Sequence, residues 1–326
     1  MKQVQFRTFG QPSVVANCVE VPDVGPPAAW EVIVDVEAFP INPADLAMLA
    51  GNYGKLPKLP ATIGMEAVGR IRVCGSAVKD LTVGDRVVIL ANDNWCEQRK
   101  VPAAAVHRVG ATGEVASYAG LKVNPATAYL LIKQAAATKG EWLLQTAPLS
   151  SVGRFVIQLA KLSGLRTINV IRRESAAAEV LALGGDVALP DGADLAERVR
   201  AATQRQPVRV AFDAVGGPGV QRLADALADG GRIVNYGMLS TESCGLRPEA
   251  LIFRGISLNG FWLSSVLNRL TLPERTELYS KLAEYVATGV LQTAIDSQFE
   301  ITRIQDALRR AEQGERRGKV LVTVPR

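Results

Sequence analysis

A lone tyrosine, Tyr53, sits in the Gly/Pro-rich stretch Gly51-Asn52-Tyr53-Gly54-Lys55-Leu56-Pro57-Lys58-Leu59-Pro60, shortly before the turn Gly64-Met65-Glu66-Ala67-Val68-Gly69. Phenols hold their proton at neutral pH and can serve as general acids. Other groups suited to that work are scarce. The single histidine, His107, has no Cys, Asp or Glu at ligand spacing and reads as a surface or strand-end residue. Cys18, Cys74, Cys96 and Cys244 are scattered, without a C-x-x-C pair, so neither a disulfide framework nor a structural zinc site is expected. A catalytic zinc needs a full set of protein ligands, which these residue types cannot assemble. No metal is predicted.

The elements that carry these groups follow two patterns. Val4-Gln5-Phe6, Glu31-Val32-Ile33-Val34-Asp35-Val36 and Arg86-Val87-Val88-Ile89-Leu90 alternate or run apolar between turn signals. The first third is therefore expected to be a small, mostly antiparallel β-domain. From Val123-Asn124-Pro125-Ala126-Thr127-Ala128-Tyr129 onward, strands and helices alternate. Trp142–Thr146 is a strand, Val152–Ser163 an amphipathic helix, Thr167–Ile171 a strand and Ala176–Leu183 a helix. Val208–Asp213 and Arg232–Tyr236 continue the series. Such alternation implies a parallel sheet with right-handed crossovers, the doubly wound α/β fold. Charged helices follow Phe261-Trp262, and Lys319–Val324 reads as an edge-like strand that could return to the β-domain.

The first β-α turn reads Thr146-Ala147-Pro148-Leu149-Ser150-Ser151-Val152-Gly153 and keeps only the last glycine of a G-x-G-x-x-G fingerprint. Ser150 and Ser151 can cap the helix, whose free N–H groups suit a pyrophosphate. At the end of the second strand, where NAD-preferring domains place an acid, stand Arg172 and Arg173, followed by Glu174. Two guanidinium groups suit a 2′-phosphate, which points to NADPH.

At 326 residues the chain is long enough for two domains, and 48% hydrophobic with 6% aromatic residues is a soluble α/β balance. Apolar runs stay short of the roughly 18 residues of a membrane span. Met1 to Val15 reads as a strand with charges instead of a signal peptide, so a cytoplasmic protein is expected. The net charge of +5 lies partly in Arg172-Arg173, Arg309-Arg310 and Arg316-Arg317, read as solvated helix faces and loop ends. No aromatic platforms interleave with these basic residues, so no nucleic-acid partner is expected.

With these strings in view, the chain resembles medium-chain dehydrogenase/reductases, and among them the zinc-independent 2-enoyl thioester reductases. The resemblance rests on Ile41-Asn42-Pro43-Ala44-Asp45, on the Tyr53 loop and on Val123–Tyr129. It continues through Gly164–Arg172, Asp213-Ala214-Val215-Gly216-Gly217, Tyr236-Gly237-Met238 and Gly260-Phe261-Trp262-Leu263-Ser264. In zinc alcohol dehydrogenases a metal-binding histidine precedes the glutamate of the turn that Gly64-Met65-Glu66 resembles; a Met65 thioether would not replace it. Glu66 is expected to be structural. The resemblance implies a GroES-like β-domain over residues 1–120 and 265–326 and a Rossmann NADP-binding domain over 121–264. Tyr53 becomes the proton donor.

The implied NADPH contacts are Asn124 and Thr127, then Leu149, Ser150, Ser151, Val152 and Gly153, and next Arg172, Arg173 and Glu174. Tyr236, Gly237, Met238 and Leu239 follow, then Phe261, Trp262, Leu263 and Ser264, and finally Lys319. Asn42 and Trp262 are assigned to the substrate pocket. The implied substrate is an acyl thioester on coenzyme A or acyl carrier protein, and the implied assembly is a homodimer paired through the nucleotide-binding sheets. Two other readings stay open: an NADPH:quinone or 2-alkenal reductase on the same fold, and a non-enzymatic NADPH-binding protein that associates with RNA or a partner.

Overall fold

The structure, a computed structural model, describes residues 1–110, 113–314 and 316–325. Contacts divide the chain into two units, Met1–Pro125 with Thr271–Arg326, and Ala126–Leu270. In the first unit the β-branched runs form β1 (Lys2–Phe6), β2 (Asn17–Glu20), β3 (Glu31–Pro40), β4 (Ala61–Thr62) and β5 (Ala67–Cys74). They are followed by β6 (Arg86–Ile89), β7 (Gln98–Pro102) and β8 (Val106–Arg108). β1 pairs antiparallel with β2 and β4, and β3 pairs antiparallel with β5 and β7. Val32, Val34, Val36 and Phe39 turn one side of β3 into the core, where Phe39 stacks on Trp95 at 5.4 Å. The strand expected over Met1–Val15 ends at Phe6. Pro12 fixes a helical φ and lacks an N–H, so Pro12–Val15 forms a helical turn with proline at its start.

The second unit holds β9 (Trp142–Thr146), β10 (Arg166–Ile171), β11 (Val187–Pro190), β12 (Val208–Asp213), β13 (Arg232–Asn235) and β14 (Ser257–Gly260). Among the described residues they form one sheet, in the order β11-β10-β9-β12-β13-β14, and every pair is parallel. This is the doubly wound order of dinucleotide-binding sheets, which reverses between β9 and β12, the switch point where such sheets take ligands.

The chain returns to the first unit in β15 (Ile295–Glu300) and β16 (Lys319–Thr323). β16 pairs parallel with β15 and antiparallel with β3, with Val322 opposite Phe39. It lies inside the sheet and not at its edge, as its run of buried residues from Lys319 to Leu321 and Val322 requires. The neighbour that covers it, Ile295-Asp296-Ser297-Gln298-Phe299-Glu300, is too polar to announce itself as a strand. Among the described residues no helix is long and apolar enough to cross a membrane.

Candidate functional site

The second unit builds its cavity at the carboxyl ends of β9, β10 and β12. β9 runs into Ala147, which adopts a left-handed φ of 47°, and the chain then turns into the helix Ser151–Leu162. Ser150 caps that helix by accepting a hydrogen bond from the Gly153 N–H at 3.1 Å. A Cβ on Gly153 would sit 2.5 Å from the Ala147 carbonyl, so only glycine lets the helix come this close to the turn. The exposed N–H groups of the first helical turn are donors for an anion.

Asp213, at the end of β12, ties the surrounding loops together. It accepts from the Thr146 hydroxyl at 2.7 Å, the Gly216 N–H at 2.9 Å and the Asn235 amide at 2.8 Å. A cavity of about 440 Å³ opens beside it. Of the residues assigned to the cofactor, Leu149, Ser150, Arg172, Arg173 and Leu239 line this space. Ser151, Val152 and Gly153 form the helix start behind the turn, and Glu174 opens a short 3₁₀ turn after the two arginines. The Tyr236 hydroxyl is shielded from water beside Ser150 and Asp213, and burial pushes its pKa up. Gly237 packs on the Ala214 backbone, whereas the Met238 side chain is exposed. Phe261, on the far side of β14, donates its N–H to the Asn235 carbonyl at 2.7 Å. Trp262 caps the helix Leu263–Leu267, which carries Ser264, and Thr127 is buried in the helix Asn124–Ala135.

Sequence reasoning gave no role to Asp191 and Arg222, which also line the cavity. Arg222 reaches back to Asp191 at the end of β11 and donates to it through Nε at 2.7 Å. The two are far apart in the chain, and no local pattern links them.

The first unit concentrates its polar groups in one buried cluster. Asn42, Asn124 and Lys319, assigned from sequence to the substrate or the cofactor, come together there. Asn42 donates to Glu66 at 2.8 Å, while its carbonyl oxygen accepts from the Asn124 amide at 3.0 Å and from the Lys319 ammonium. Glu66 also accepts from the Val123 N–H at 2.8 Å. Asp45 and Lys122, neither singled out from sequence as site residues, complete the cluster, and all six side chains are buried. The signal for Asp45 was present: Asn42-Pro43-Ala44-Asp45 has the spacing of a helix start whose third residue reaches back to the cap. Burial pushes the Asp45 pKa up to about 7 and that of Glu66 also upward. It pushes Lys122 and Lys319 down to about 8, opposed in each case by the two carboxylates. Tyr53 itself lies half-buried on the loop that follows the helix Pro43–Leu49.

A parallel nucleotide-type sheet with an anion-ready helix start, in one chain with a mostly antiparallel β-unit, is the make-up of a dehydrogenase/reductase. Residues 28–133 match the alcohol dehydrogenase GroES-like domain, and residues 151–281 match the zinc-binding dehydrogenase domain. The mitochondrial enoyl-[acyl-carrier-protein] reductase of Dictyostelium discoideum is 30% identical over 98% of this chain and 94% of its own length. A putative NADPH:quinone reductase from Bacillus thuringiensis is 28% identical at a TM-score of 0.92, covering 99% of this chain and 98% of that one. Escherichia coli quinone oxidoreductase, solved in complex with NADPH, is 26% identical at a TM-score of 0.88, covering 99% and 100%. The chain belongs to the medium-chain dehydrogenase/reductase family, with the enoyl-[acyl-carrier-protein] reductases among its relatives. It is an oxidoreductase.

The zinc of the family's alcohol dehydrogenases does not fit this donor set. Met65 occupies the turn, and His107 lies on β8 with its ring 6.1 Å from that of Tyr279. Among the described residues no group of three or more His, Cys, Asp or Glu is disposed to hold a metal ion.

Proposed function

We propose that this enzyme reduces the C2=C3 double bond of 2-enoyl thioesters, with Tyr53 supplying the proton. The observation that carries this reading is the combination of a phenol on a loop and a nucleotide cavity flanked by two arginines, with no ligand set for a Lewis acid among the described residues. The enoyl-reductase relative supports it. NADPH is the cofactor, and when bound it supplies the hydride. The helix start at Ser150 and Ser151 would hold the pyrophosphate, and Arg172 with Arg173 the 2′-phosphate.

A thioester carbonyl polarises the double bond so that the β-carbon takes hydride, leaving charge on the enolate oxygen. Tyr53 then gives its phenolic proton to the α-carbon and closes the reaction without a metal. The aromatic side chains of Phe261 and Trp262 suit an acyl wall. The acyl carrier, coenzyme A or acyl carrier protein, brings negative charge to a chain of net charge +5. We also infer a homodimer. β14 ends its sheet, and Ile252 and Phe253 nearby are 69% and 78% exposed. An uncovered strand edge beside apolar side chains is a surface for a second copy.

A quinone reductase is the second reading, favoured by the solved structures named for that activity. NADPH oxidation with crotonyl-CoA, a quinone and 2-hexenal separates the two. The thioester should be turned over best, and Tyr53→Phe should lower kcat about 10²–10⁴-fold with NADPH affinity unchanged. Turnover of the quinone but not of crotonyl-CoA would sink the thioester reading. Inactivity with all three would leave a cofactor-binding protein.

A further inference from the structure

The buried charges of the first unit have a geometry that the reaction chemistry leaves unused. Two carboxylates, Asp45 and Glu66, balance two ammonium groups, Lys122 and Lys319, in a space closed to water. Holding four charges there is costly unless each is paired and hydrogen-bonded. What the bonds hold is specific. One Asp45 oxygen accepts the Asn42 N–H at 2.9 Å, at the start of the helix Pro43–Leu49. The other accepts the Met65 N–H at 3.1 Å, in the turn that follows the Tyr53 loop. A single side chain therefore ties together the two ends of the segment that carries Tyr53.

The far end is fastened from the other side as well. Lys122 donates to the Met65 carbonyl, to the Ala91 carbonyl at 3.0 Å and to the Asn92 side chain at 2.8 Å. The Gly64 carbonyl accepts from the Asn94 N–H at 3.1 Å. Gly64 has φ near +116°, and a Cβ there would sit 2.4 Å from the Trp95 ring, so only glycine fits this turn. Between these anchors the loop is held by the Asn52 N–H on the Ala47 carbonyl at 2.8 Å, the Gly51 N–H on the Met48 carbonyl at 3.1 Å, the Trp95 N–H on the Ile63 carbonyl at 3.0 Å, and β4 on β1.

We propose that Asp45 is a positioning residue for Tyr53, its carboxylate clamping both ends of the loop so that the phenol is presented in one place. The proposal rests on the reading of Tyr53 as proton donor. It makes a particular demand on chemistry: both oxygens must accept, as they do in the ionised carboxylate above about pH 7, so the test is run at pH 8. An amide has one acceptor, so Asp45→Asn must release either the Asn42 N–H or the Met65 N–H.

The test is a double-mutant cycle on the full-length enzyme with NADPH and crotonyl-CoA, with the fold of each variant checked by its thermal midpoint. Asp45→Asn should lower kcat roughly ten- to a hundredfold while NADPH affinity stays near wild type, because misplacing a reacting group costs rate and not cofactor binding. In a Tyr53→Phe background the same change should lower kcat less than about twofold, the sign of two residues acting as one. An equal loss in both backgrounds, or no loss in either, overturns the clamp. Tyr53→Phe alone decides the donor reading, so the two failures are distinguishable. If Asp45→Asn does not fold, Asp45→Glu, which keeps the charge and shifts the oxygens, is read by the same criteria.

Discussion

Arg172 and Arg173 follow β10 directly, at the position where an acid would grip a ribose hydroxyl, and both line the cavity. A hydrogen bond to a charged group contributes about 1.5–3 kcal/mol, or roughly a ten- to a hundredfold change in binding. Replacing both arginines by alanine should therefore raise the KM for NADPH by at least that factor and leave the KM for NADH nearly unchanged. Steady-state kinetics with the two cofactors checks this; an equal loss for both would place the arginines elsewhere than at the 2′-phosphate. The Asp191–Arg222 pair in the same cavity gives the pocket a third guanidinium.

Secondary-structure elements decide where charge can be held. The helix Pro43–Leu49 and the turn at Met65 hold Asp45 in a dry site, and burial raises its pKa to about 7 from an ordinary carboxyl value. Glu66 moves the same way. A carboxyl with a raised native pKa binds its proton more tightly folded than unfolded. Its contribution is thus fully present at acid pH, below the unfolded value, and is lost as pH climbs through about 4 to about 7. Asp45 gives a slope of up to about 1.4 kcal/mol per pH unit inside that window. Lys122 and Lys319 act in the other direction at alkaline pH, where a native pKa of about 8 lies below that of the unfolded chain. Between pH 8 and about 10.4 they add stability as pH rises. Urea unfolding at pH 5, 6 and 7 should accordingly show a steeper fall for the wild type than for Asp45→Asn. Parallel profiles would mean that Asp45 titrates where an ordinary carboxyl does.

For the whole molecule, the uncovered edge of the parallel sheet matters most. Ser257–Gly260 ends that sheet, and the exposed Leu251-Ile252-Phe253 run lies just before it. Phe253→Asp puts a charge into the surface proposed for the second copy. Sedimentation should show the wild type at twice the chain mass and this variant shifted toward the single chain, with its thermal midpoint little changed. A wild type that sediments as a single chain would remove the dimer. Elsewhere the basic surplus is partly neutralised locally: Arg310 pairs with Asp296 at 2.6 Å, and Arg309 pairs with Asp306.

Local patterns determined a good deal of this protein. Strand periodicity, the β-α alternation after Val123, the Ser150 cap before Gly153 and the arginines after β10 are short-range features, and each folded as its own residues dictate. The sequence also holds one histidine and four scattered cysteines, without the clustering of a structural zinc site. Tertiary structure alone decided what long-range pairing controls. β15 is a strand because β16 and the chain's end cover it, although its own sequence alternates too weakly to say so. Asp191 and Arg222 meet only because β11 and the helix Gly219–Ala226 reach the same cavity. Asn42, Asn124 and Lys319, which sequence reading assigned to substrate and cofactor, are turned inward onto Glu66 and one another. A buried charge is tolerable only where its partners converge, and convergence of residues hundreds of positions apart is a property of the packed chain and not of any window along it.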